Sequence, residues 1–152
     1  MSFILSAVLA LALQTPPPQA QAASAWTWTL YEGEGPMVLA NELPDTPALK
    51  ATLQCAPGSG VVDLALYDGG GRRLQVQPGF ARLTSGEVTT TSEVRAGRGG
   101  RVETTVRTDH PLFAAFVRSG DMALMTGDQT LAVKVDRPHL AKLRRFADRC
   151  AG

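Results

Sequence analysis

Two histidines, two cysteines and one arginine-glycine run are the residues of this 152-residue chain whose types could carry chemistry. His110 stands beside Asp109 in Asp109-His110-Pro111, the composition of an acid–base pair. Neighbours on an extended chain point to opposite sides, so adjacency alone does not make a dyad. A hydrolase using His110 would also need a nucleophile. Ser59, Ser85, Ser92 and Ser119 all lack the Gly-x-Ser-x-Gly context that lifts a serine onto a sharp strand-to-helix turn. His139 falls at the start of a predicted C-terminal helix, where packing or a surface hydrogen bond is the usual role. Cys55, Cys150, His110 and His139 show none of the short spacings of zinc ligands. The expectation is therefore no catalytic residue, no metal and no cofactor.

The run Arg95-Ala96-Gly97-Arg98-Gly99-Gly100-Arg101 could track a nucleic-acid backbone in an intracellular protein. In an exported one it reads as a flexible, solvated hairpin tip, and no nucleic-acid partner is expected. Arg95, Arg98 and Arg101 then become candidate contact residues for an anionic surface. The overall net charge of +1 hides an asymmetry: residues 26–71 sum to −5 and residues 72–152 to +6. Asp68-Gly69-Gly70-Gly71 has the glycines of a phosphate loop, but no helical pattern follows it. No calcium-loop spacing of carboxylates and no aromatic stacking platform is evident.

The compartment follows from the first 25 residues, which contain no charged side chain. Phe3 to Leu13 is an eleven-residue apolar run, too short for the roughly 20 helical residues that span a bilayer but matched to a signal-peptide core. Pro16, Pro17 and Pro18 then break any helix, and the small-x-small sites Ala20-Gln21-Ala22 and Ala23-Ser24-Ala25 follow. A signal peptide over 1–25, cleaved after Ala22 or Ala25, is predicted. It would leave one domain over 26–152 with no integral membrane segment. Export to an oxidising compartment makes a Cys55–Cys150 disulfide the expected state of the only two cysteines.

These residues must be positioned by strands. Leu49, Ala51, Leu53 and Cys55 alternate with outward neighbours, as do Val62, Leu64 and Leu66, Val102, Thr104 and Val106, Leu131, Val133 and Val135, and Trp26, Trp28 and Leu30, those neighbours being polar apart from Ala65 and Ala132. Such half-buried strands, separated by glycine-rich turns including a Gly127-Asp128 hairpin turn, predict an antiparallel β-sandwich or small barrel. Asn41–Pro47 reads as a linker. From Pro138 to Cys150 the period changes: Leu140, Leu143, Phe146, Ala147 and Cys150 share one arc, giving an amphipathic C-terminal α-helix over about 138–150. Both cysteines are thereby predicted to face the core, one from a strand and one from the helix.

An early Trp, Leu53-Gln54-Cys55 ending a strand, Phe113-Ala114-Ala115-Phe116 before a short hairpin, and a final helix closing on Leu143-Arg144-Arg145-Phe146-Ala147-Asp148-Arg149-Cys150 occur in that order. This succession resembles small periplasmic β-sandwich proteins of proteobacteria. It is similar to the invasion-associated locus B group and to type VI secretion-associated periplasmic proteins. The resemblance implies a periplasmic or secreted, non-enzymatic binding or accessory module whose partner is another envelope protein. Two other readings are an inhibitor of an envelope hydrolase such as lysozyme, reaching with Arg95–Arg101 or Asp68–Arg72, and a small hydrolase using His110.

Overall fold

A computed structural model describes residues 25–70 and 73–152. The predicted signal segment, up to residue 24, lies outside the described residues. Nine strands follow one another as β1 (Thr27–Tyr31), β2 (Met37–Glu42), β3 (Leu49–Cys55), β4 (Val61–Leu66), β5 (Gly79–Ser85), β6 (Val88–Ala96), β7 (Val102–Arg107), β8 (Asp121–Thr126) and β9 (Gln129–Lys134). Helix α1 (Pro111–Ser119) sits between β7 and β8, and α2 (Leu140–Cys150) follows a 3-10 turn at Arg137–His139. All strand pairs are antiparallel, and they form one sheet in the order β1-β2-β3-β4-β7-β6-β5-β8-β9.

The sheet curls into a half-barrel, so the fold is mainly β and antiparallel with a C-terminal helix, as the alternation predicts. It is a single sheet, however, and not the two facing sheets of a sandwich. Inward residues line up in rows across it. Leu30, Leu39, Leu53, Leu64, Thr104 and Val94 are successive cross-strand partners from β1 to β6. In place of a second sheet, the two helices cover the inner face. α1 packs on β5 and β6, α2 packs on β1 and β2, and the helices touch each other. Leu112, Phe113 and Phe116 from α1 and Leu143, Phe146 and Cys150 from α2 share one core with the inward strand residues. The period-two and period-3.6 patterns therefore meet in the same apolar interior.

Helix α1 is absent from the strand-based reading, because its nine residues display only about two and a half turns of periodicity. Its boundaries are nevertheless written locally. His110 is the N-cap and its Nδ1 accepts the Leu112 N–H at 3.1 Å. Pro111 opens the first turn, where its missing N–H costs nothing. Gly120 ends the helix in the left-handed conformation at φ 79°. The linker reading of Asn41–Pro47 is likewise corrected at its start, since Asn41 and Glu42 belong to β2.

The cysteines meet as the two periodicities require. Cys55 and Cys150 form a disulfide with a Cα–Cα distance of 5.8 Å across 95 positions of sequence. Backbone bonds flank it, from Gly58 N–H to the Arg149 carbonyl and from Gly60 N–H to the Cys150 carbonyl, both at 2.9 Å. The end of α2 is thus fastened to the β3–β4 turn by covalent and hydrogen bonds together. No helix among the described residues is long and apolar enough to cross a membrane.

Candidate functional site

Directly opposed residues in an antiparallel pair point to the same face, so register identifies what the outer face presents. One outward row runs Thr52, Ala65, Glu103, Arg95 across β3, β4, β7 and β6. The neighbouring row runs Gln54, Asp63, Thr105. Ala65 is the shortest side chain among these, and the longer ones around it enclose a groove of about 350 Å³. Tyr67, just beyond β4, and Arg101, from the β6–β7 turn, complete its rim.

The charges in this groove are not all satisfied internally. Arg101 Nε donates to Glu103 Oε1. That hydrogen bond raises the Arg101 pKa further above its ordinary value, with Tyr67 adding to the effect and burial opposing it. Glu103 is also the register partner of Arg95, but its carboxylate is taken by Arg101. Arg95 and Asp63 make no ion pair among the described residues. They lie on strands two positions apart in the sheet and are offset by two residues along the strand, a backbone separation of roughly 12 Å at the usual spacings. Among the described residues, the groove therefore offers one unpaired cation and one unpaired anion.

The turn that carries the arginine run is tethered, in contrast to the flexible tip expected from its glycines. The Gly97 N–H donates to the Arg101 carbonyl at 2.8 Å, and the Leu74 N–H donates to the Gly100 carbonyl at 2.9 Å. Gly100 has φ 78°, and a Cβ there would lie 2.6 Å from the Arg73 Cα. Only glycine fits this approach of two backbones. Of the three candidate contact residues, Arg95 and Arg101 line the groove, while Arg98 is exposed in the turn outside it. The alternation already placed Gln54, Asp63 and Thr105 on the outward side. What it did not show is that they surround an alanine.

The candidate acid–base residues are dispersed and engaged. The Asp109 carboxylate is held by both Nε and a terminal nitrogen of Arg107. That hydrogen bonding lowers its pKa below the ordinary carboxylate value, against a smaller opposing effect of burial. His110 caps α1. The hydroxyls of Ser59, Ser85, Ser92 and Ser119 donate to the backbone carbonyls of Val61, Asp121, Thr105 and Ala115. His139 bridges Thr27 Oγ1 at 3.2 Å and Asp136 Oδ1 at 3.3 Å, the surface hydrogen-bonding role expected for it. Among the described residues, no cluster of three or more histidine, cysteine, aspartate or glutamate side chains could hold a metal ion. Comparison with protein-family models, curated proteins and solved structures returned no match to this chain.

Proposed function

We propose that this chain is an exported, disulfide-stapled binding module of the bacterial cell envelope, holding a partner protein against the outer face of β3, β4, β7 and β6. The observation that carries this reading is the groove floored by Ala65, with Arg95 and Asp63 left without an ion pair among the described residues. A partner segment presenting an acid to Arg95 and a base to Asp63, whose backbones lie about 12 Å apart, matches it. The uncharged first 25 residues support export, and the Cys55–Cys150 bond suits an oxidising compartment. The reading is non-enzymatic because His110 serves a helix cap and the candidate serine hydroxyls serve backbone carbonyls.

A photocrosslinking amino acid at Thr105, on the groove wall, tests the contact in living cells. One discrete protein adduct is expected, and it should vanish when Arg95→Glu or Ala65→Phe is added. An adduct that survives both changes places the contact elsewhere and overturns the assignment of this face. Intact-mass measurement of the protein recovered from the periplasm tests export. The chain should begin at Ala23 or Trp26, and retention of Met1 would remove the export half of the reading.

A further inference from the structure

Both tryptophans of the chain line a second groove, also about 350 Å³, at the seam where the curled sheet comes nearest to closing on itself. It shares no lining residue with the outer-face groove. The Trp28 Nε1–H donates to the Lys134 carbonyl at 2.9 Å, which ties β1 to β9 although the two strands are not paired. Trp26, Asn41, Lys50 and Asp136 line the opening beside them. The sequence gives no hint of this meeting, because the residues come from opposite ends of the sheet.

Asn41 is a polar residue in an otherwise apolar inward row. Trp28, Asn41, Ala51 and Leu66 are successive cross-strand partners from β1 to β4, and all but Asn41 are buried apolar residues. The Asn41 Oδ1 is buried and has no hydrogen-bond partner among the described residues. An orphaned amide oxygen on an inward row is less stable than an apolar side chain of similar size. Departures of this kind, where a local rule is broken without a structural gain, concentrate at functional positions. A second irregularity adjoins it. Asn41 pairs with Ala51 and Glu42 with Leu49, so Lys50 is the unopposed residue of a bulge. Its ammonium lies 4.3 Å from the centre of the Trp26 ring and makes no ion pair among the described residues.

We propose that this seam groove binds an acidic saccharide. A half-exposed indole offers an apolar surface to the C–H face of a sugar ring. The Asn41 amide and the Asp136 carboxylate oxygen not engaged by His139 provide hydrogen-bonding groups for hydroxyls. Lys50 supplies positive charge for a sugar carboxylate, whereas Lys134 is paired with Asp121 at 3.9 Å. With Asp136 held by His139 at 3.3 Å and Lys134 by Asp121, the Lys50 ammonium is the charge at the opening without an ionic partner among the described residues, which favours an anionic ring over a neutral one.

Because the only two tryptophans line this groove, intrinsic fluorescence reports its occupancy directly. Titration of the mature protein with trigalacturonic acid is expected to give a saturable change in emission, with maltotriose binding at least tenfold more weakly. Trp26→Ala should weaken acidic-sugar binding at least tenfold while Trp28 still reports, and Lys50→Gln should erase the preference for the acidic sugar. Asn41→Leu should abolish binding yet raise the thermal midpoint. The proposal fails if neither sugar gives a saturable response, if the two bind equally, or if Asn41→Leu lowers the midpoint, which would make the amide a structural group. None of these measurements depends on Arg95 or on the outer-face partner.

Discussion

Gly120 shows how a single backbone position can hold two elements at once. It closes α1 with φ 79°, its N–H donates to the Phe116 carbonyl, and its own carbonyl accepts the Val135 N–H at 2.7 Å. A Cβ there would lie 2.2 Å from the Val135 carbonyl oxygen, a backbone atom that cannot rotate away. Gly120→Ala is therefore expected to cost about 3 kcal/mol, the strain of a left-handed non-glycine residue plus a backbone clash. Equilibrium urea unfolding checks it, and a loss smaller than about 1 kcal/mol would mean that the turn relaxes at little cost. Asp109 offers a residue-scale prediction in pH. Its pKa is lower in the folded state, so its contribution is present above the ordinary carboxylate value and is lost as pH falls through the depressed native one. Both it and Arg107 are exposed, so the effect on stability is small and screened by salt. The direct readout is the NMR titration of the Asp109 carboxyl carbon, which should move up in Arg107→Gln and stay low in Arg107→Lys only in part.

At the scale of elements, α1 separates a structural role for His110 from a catalytic one. The His110 Nδ1 satisfies an N–H in the first turn that has no intrahelical acceptor. His110→Ala should therefore lose about 1 kcal/mol of stability, and His110→Asn should recover most of it because asparagine is a strong N-cap. A hydrolase using His110 would be inactivated equally by both replacements, so recovery with asparagine identifies a cap. The same helix shows what was legible in the sequence. The strands with three or more alternating apolar positions were legible, as were α2 and the inward direction of both cysteines, since each rests on a long periodic signal. β2, whose residues Leu39 and Ala40 are both buried, breaks the alternation. α1 is short and carries its signal in its caps, where a histidine stands at a position usually held by serine or aspartate. The outer-face groove depends on which strands are neighbours. The order β4-β7-β6 brings Ala65 and Arg95 together across about 30 positions of sequence, and no local pattern encodes that pairing.

For the whole molecule, the open sheet poses a problem that α2 and the disulfide solve together. A closed barrel has no edges and a sandwich has a second sheet, whereas this half-barrel must have its inner face covered by helices. α2 is held to that face by Leu143 and Phe146 in the core, by the Lys142 ammonium donating to the Trp28 carbonyl, by the Arg145–Glu32 ion pair at 2.9 Å and by the Cys55–Cys150 bond. The exposed ion pair adds little, and the apolar contacts of one eleven-residue helix are modest. A crosslink spanning 95 positions restricts the unfolded chain by about 4 to 5 kcal/mol in the chain-entropy model, before any offset from the native side. Cys55→Ala/Cys150→Ala is accordingly expected to lose about 2 to 5 kcal/mol, and its form is as informative as its size. Phe146 of α2 and Phe116 of α1 belong to the same core as the strands, so α2 cannot leave without exposing the interior. Unfolding followed by tryptophan fluorescence, which senses the β1–β9 seam, and by far-UV circular dichroism, which senses the whole fold, should then give coincident transitions with the midpoint lowered and the slope raised, because the unfolded chain without its crosslink exposes more surface. A fluorescence transition that precedes the circular dichroism one would show instead that α2 peels away by itself, and that the disulfide's task is to keep the half-barrel covered.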